Sequence, residues 1–207
     1  MTRLIVDNTA AVPPTAQMAL RQGQAEVLLD VDLQADELRR RAHWDTKPIL
    51  SLDLLNLLLT MPVSSAVPAE GFSDYDWRRL KAGSRIGAVD ITGGHAGPRA
   101  TRRAVPPLTV RHATVRARHW RTGLSAASRF APYCSRDLVL DGLPADDLEL
   151  RLEADYLGVG ICVRGDDPDQ RVRRVIEPAR FRPARYTGAS WLFAERLLAE
   201  HAVMLEG

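Results

Sequence analysis

Arg116 and Arg118 stand two residues apart in a stretch, 110–118, whose apolar and polar residues alternate. A period of two marks a strand, so both guanidinium groups point to the same face. His119, Trp120 and Arg121 follow directly. A guanidinium is a planar fork of donors that matches phosphate oxygens, and an indole offers a face on which a base can stack. These five residues carry the chemistry of a nucleic-acid surface, and Arg99, Arg102 and Arg103 extend it toward the N-terminus. The competing expectation is structural: Trp120 in the core, and one or both strand arginines paired with Asp90.

The charge pattern supports the first expectation. Residues 91–136 contain no Asp or Glu but hold nine of the chain's 28 basic residues, leaving 19 basic against 26 acidic elsewhere. Such asymmetry suggests a cationic surface facing an anionic partner. The alternative is a solvated face neutralised by the acids of 146–155. Lysine is nearly absent (Lys47, Lys81) while arginine and alanine abound. That is the usage of a GC-rich bacterial genome, so the arginine count alone says little.

Other chemistries find less support. His43, His95, His112, His119 and His201 share no zinc-like spacing with Cys134 and Cys162. A Ser–His–Asp hydrolase would need a Gly-x-Ser-x-Gly turn, which is missing. The glycines at 158 and 160 precede a strand, the wrong context for a dinucleotide site. The glycine-rich run 93–103 lacks the Gly-Lys-Ser/Thr ending of a phosphate loop and reads as a basic hairpin tip. The two cysteines lie in apolar surroundings and read as buried thiols in a reducing cytoplasm.

The elements that position these residues follow from periodicity. Strand 110–118 leads to a helix over 122–132, with Leu124, Ala127 and Phe130 on one face. A short strand at 138–140 follows. A helix over 147–157 is capped by Asp146 or Asp147, with Leu148, Leu152 and Tyr156 repeating every fourth residue. Gly158 ends it before a strand at 159–163. Strand, helix, strand, helix, strand predicts a parallel α/β unit. Upstream, the pattern predicts strands at 3–7, 25–33 and 85–92, a helix from Pro13 and Pro14 through Arg21, a charged exposed helix at 36–43, and a leucine-rich helix at 53–61. Residues 63–76, rich in Ser, Pro, Gly and acids, are the boundary candidate. Strand 171–176 and a helix over 188–205 complete the chain. The leucine run 49–61 is too short and polar to span a bilayer, and the first ten residues lack the apolar core of a signal peptide.

The stretches "VRARHW", "LSAASRFAPYCSRDLVL" and "LEADYLGVGICV" resemble the acid-x-lysine strand, the following helix and strand, and the last helix and strand of restriction-endonuclease-like, PD-(D/E)XK, nucleases. The resemblance covers roughly residues 85–180. It implies a mixed central sheet flanked by helices, with an N-terminal extension at 1–68 and the nuclease-like domain at 69–207. It also implies that Asp90, on the strand at 85–92, stands for the metal-binding aspartate. Arg116 and Arg118, however, occupy the positions of the carboxylate and the lysine. A guanidinium neither ligates a cation nor accepts a proton, whereas this chemistry needs hard oxygen ligands for Mg²⁺.

The expected function is therefore a nuclease-fold protein without standard catalysis, and without a cofactor. It would bind nucleic acid or serve as a structural subunit in DNA processing or defence. One alternative is an active nuclease whose Mg²⁺ is held by Asp90 with Glu149, Glu153 or Asp155. The other is a cytoplasmic interaction module, with a homodimer seam through Leu54, Leu55 and Leu58.

Overall fold

The computed structural model describes residues 15–95, 97–165, 172–182 and 185–203. The strand expected at 3–7 lies outside them. In chain order the elements are strands β1 (Thr15–Gln22) and β2 (Ala25–Leu33), helices α1 (Ala35–Trp44) and α2 (Leu52–Thr60), and strand β3 (Ala66–Pro68). Helix α3 (Asp74–Arg85), strands β4 (Val89–Thr92), β5 (Arg99–Arg102) and β6 (Leu108–Arg116), and helix α4 (Trp120–Ser128) come next. Strand β7 (Ser135–Leu140), helix α5 (Leu148–Leu157), strands β8 (Gly160–Arg164) and β9 (Val172–Ile176), and helix α6 (Gly188–Val203) complete the set.

The fold is mixed α/β and divides into two units. A sheet unit takes Thr15–Asp32 and Val110–Ala184; a helical unit takes Leu33–Thr109 and the segment from Arg185. Both parts of each unit are separated in sequence. Val67 pairs with Ala100 in the β3–β5 ladder, which stitches the Ser/Pro/Gly-rich stretch into a sheet instead of leaving it as a linker.

The sheet unit is built on six strands in the order β1-β2-β6-β7-β8-β9. β6, β7 and β8 run parallel, joined through α4 and α5 as the sequence pattern predicts, and β9 returns antiparallel to β8. The segment expected to be a helix at 13–21 is instead strand β1 over its described part. It pairs with β2 along its whole length, from Thr15↔Asp32 to Gln22↔Ala25, around Gly23 at φ +61°. That ladder overrides a weak local helix signal.

Leu124, Ala127 and Phe130 of the α4 region are buried, as their spacing requires. Gly123 lets this helix lie close to the sheet, because a Cβ there would overlap Leu138. In α5 the burial is the reverse of the simplest expectation. Leu150 and Ala154 face inward, while Leu148, Leu152 and Tyr156 are 63, 63 and 88% exposed. A four-residue repeat marks one side of a helix without saying which way that side faces.

The helical unit packs α2, α3 and α6 with the antiparallel sheet β3-β5-β4. Ser51 caps α2 by accepting from the Leu54 amide, and Ser73 caps α3 by accepting from the Asp76 amide. Helix α3 was not foreseen, and it shortens the strand expected at 85–92 to Val89–Thr92. Leu54, Leu55 and Leu58 are core residues, beside Leu80, Ala100 and Trp191. The leucine face of α2 is buried inside the unit.

Helix α1 also departs from the exposed helix expected. Its Glu37 and Arg41 are buried, and Arg41 forks onto Glu195 of α6 at 2.7 Å through each terminal nitrogen. Glu195 further accepts from the Ile49 amide (3.0 Å) and Trp191 Nε1 (2.9 Å). Every oxygen of this fully buried carboxylate is hydrogen-bonded, the condition for keeping a charge out of water.

Candidate nucleic-acid interface

The nine arginines of the acid-free span divide between the two units and differ in their partners. Two are internal fittings. Arg102 is buried and donates to the carbonyl oxygens of Leu58, Met61 and Ala104, closing the end of α2, with its guanidinium 4.9 Å from the Trp191 ring centre. Arg136 is buried and donates to the Leu157 carbonyl at the end of α5. Burial lowers the pKa of both groups. Three more are ion-paired: Arg103 with Asp90 at 2.5 Å, Arg111 with Asp32 at 3.1 Å, and Arg121 with Glu149 at 2.5 Å.

Arg99, Arg116, Arg118 and Arg129 remain, all exposed, and their side chains make no hydrogen bond or ion pair among the described residues. Arg99 flanks the tip of the β4–β5 hairpin, paired with Thr92. Arg129 lies at the far end of α4. Arg116 ends β6, and Arg118 sits in the turn into α4.

This turn is where the sequence-predicted residues do come together. His119 is exposed and is the extended N-cap of α4, with no side-chain cap and no acid in the first turn. The first amide groups of a helix are orphan donors with a partial positive charge, which favours an anion there. Trp120 is half-buried, and Arg121 stacks on it 4.2 Å from the ring centre. The turn thus offers two uncommitted guanidinium groups, an imidazole and helix amides. Arg121 contributes less than its charge suggests, because Glu149 already neutralises it.

Asp90 lies on β4 in the three-stranded sheet of the helical unit, and its carboxylate is held by Arg103. Its proposed partner Glu149 belongs to the sheet unit and is engaged by Arg121. Arg116 and Arg118 cannot ligate Mg²⁺, since both carry guanidinium groups. No group of three or more His, Cys, Asp or Glu among the described residues is arranged as a metal site.

A second polar cluster, missed from sequence, lies on the same sheet. Ser135 Oγ is 2.8 Å from His112 Nδ1, and His112 Nε2 is 3.2 Å from Asp137 Oδ2. Arg174 of β9 clasps the same carboxylate at 2.9 and 2.7 Å. Burial pushes the Asp137 carboxyl up, but the hydrogen bonds from His112 and Arg174 hold it below the ordinary value. Gly160 makes the room, since a Cβ there would overlap Asp137 Oδ1.

The connectivity is that of a Ser–His–Asp relay. Yet Ser135 Oγ also lies 3.3 Å from the Arg111 carbonyl, and the carboxylate is neutralised by Arg174. We assign the cluster to holding β6, β7 and β9 together. Its signal in the sequence was one acid heading the apolar run Leu138–Leu140. The thiols behave as expected: burial pushes Cys134 up to about 12 and raises Cys162.

Comparison of the chain with family models, curated proteins and solved structures found no match. No helix among the described residues is long and apolar enough to cross a membrane.

Proposed function

We propose that the chain binds nucleic acid through the turn that joins β6 to α4. The observation that carries this is the pair Arg116 and Arg118, exposed and with no side-chain partner among the described residues, beside a helix N-terminus free of acids. Unpaired guanidinium groups two residues apart can each meet one phosphate, and the amides of α4 add a third donor site. Trp120 and Arg121 supply a stacked pair at the edge of the same surface.

The parallel β6-α4-β7-α5-β8 order supports a restriction-endonuclease-like sheet unit, in which the helical unit is an addition to the nuclease-like core. In this reading standard catalysis has been replaced by binding, because the carboxylate and lysine positions hold Arg116 and Arg118. The protein then works in the cytoplasm as a binding or structural subunit of a DNA-processing or defence assembly.

The test is a fluorescence titration of labelled single strands and duplexes, DNA and RNA, at several salt concentrations. Binding should weaken linearly on a logarithmic salt scale, because each neutralised phosphate releases condensed cations. No binding at low salt refutes the proposal. Mg²⁺- or Mn²⁺-dependent cleavage lost in Asp90→Ala would move the chain to the nuclease class.

A further inference from the structure

We infer that helix α5 is a docking site for a basic amphipathic helix of another protein. Leu148, Leu152 and Tyr156 project into water at four-residue spacing, so neighbours along the stripe lie one turn apart. At roughly 100° per residue, the centre of this stripe falls about 180° from Leu150 and Ala154, the pair buried against the sheet unit. The helix therefore has two apolar faces. One is used by its own unit. The other is covered by no described residue.

The occupant is set by charge and by size. Around the helix axis Glu149 and Glu153 lie on one side of the stripe and Asp155 on the other, all exposed. Glu149 is shared with Arg121, while Glu153 and Asp155 have no partner among the described residues. Arg151, on the Asp155 side, is neutralised by Asp147, so the flanks are acidic on balance and suit a partner with an apolar face and Lys or Arg on its own flanks. They disfavour an anionic lipid surface, and they disfavour α5 of a second copy, which would bring like charges together.

The three side chains present on the order of a few hundred Å² of apolar surface, the scale at which an exposed patch marks an interaction site. That is well short of the roughly 800 Å² per partner buried in a stable dimer. A single helix laid along α5 matches this area and uses the familiar contacts of a helix read at i, i+4 and i+8.

The experiment uses the full chain and a labelled synthetic peptide of about 15 residues, long enough for a helix, with Leu at helical spacing and Lys elsewhere. Controls are a scrambled peptide of the same composition and a Glu-for-Lys version. The proposal expects the helical basic peptide to bind and both controls to bind at least about tenfold more weakly. In the variant Leu152→Ser/Tyr156→Ser, affinity should fall by about tenfold or more. Glu153→Lys/Asp155→Lys should weaken binding several-fold and increase binding of the Glu version. Both pairs are exposed, so circular dichroism should be unchanged. The inference is overturned if the peptide does not bind, or if the scrambled peptide binds equally. Binding indifferent to Leu152→Ser/Tyr156→Ser also overturns it. So does sedimentation showing a native dimer that this variant dissociates, since a second copy would then occupy the stripe.

Discussion

Replacing Arg116 and Arg118 together by alanine tests whether charge in the basic span or only uncommitted charge binds phosphate. Each phosphate contact contributes about 0.9 to the logarithmic salt slope on duplex DNA and about 0.7 on single strands. Two lost contacts should flatten the slope by about 1.8 on a duplex. Over the fourfold change from about 50 to about 200 mM salt, the wild type should then lose roughly twelvefold more affinity than the variant. Arg121→Ala and Arg103→Ala are the matched controls. Their side chains are ion-paired at 2.5 Å with Glu149 and Asp90, so each should change the slope by well under about one unit. Fluorescence anisotropy at five or so salt concentrations measures the slopes. If Arg121→Ala flattens the slope as much as Arg116→Ala, or the double variant keeps the wild-type slope, assignment by free charge is wrong.

Three further outcomes follow from the buried groups. Glu195→Gln leaves Arg41 with a weakened partner inside the helical unit and should cost about 3 kcal/mol, read by calorimetry as a lower melting temperature. Asp137 has a folded pKa below its unfolded value of 3.8, so its contribution is present above that value. It is lost as pH falls through the lower folded value, and denaturant midpoints of Asp137→Asn should fall less steeply with acid there. Cys134, pushed up to about 12 by burial, should react with a disulfide reagent only after unfolding, and rapid labelling of the native chain would contradict its burial.

The sheet unit was largely legible because its signals are local. Alternation in β6, the face Leu124, Ala127 and Phe130, and Gly158 at φ +66° each act within a few residues. What escaped depends on partners far along the chain. Glu37 and Arg41, four residues apart, read as a surface pair, but Glu195 lies 154 residues beyond Arg41. Arg102 reads as free charge, yet it closes a helix 44 residues upstream. The stripe on α5 was visible as a stripe, while its direction was set by which side met the sheet. Of the site residues, Arg116, Arg118, His119, Trp120 and Arg121 share one turn, and Arg102, Arg103 and Asp90 are occupied elsewhere.

The interleaving of the two units governs the order in which the chain can be completed during synthesis. Strand β2 ends at Leu33, and its neighbour β6 does not begin until Leu108. The hairpin β1–β2 therefore waits for about two-fifths of the polypeptide before it gains its sheet neighbour, and long closures of this kind slow folding. The helical unit waits longer still, because Arg41 and the Ile49 amide find Glu195 only after β9 has emerged. A fragment cut at Thr109 would leave Arg41 without Glu195. A fragment starting at Val110 would lack both outer strands on the β6 side. Neither half should be obtainable as a stable piece. Folded protein is expected only after nearly the whole chain has left the ribosome, and the exposed edge of the early hairpin is where a stalled chain would aggregate.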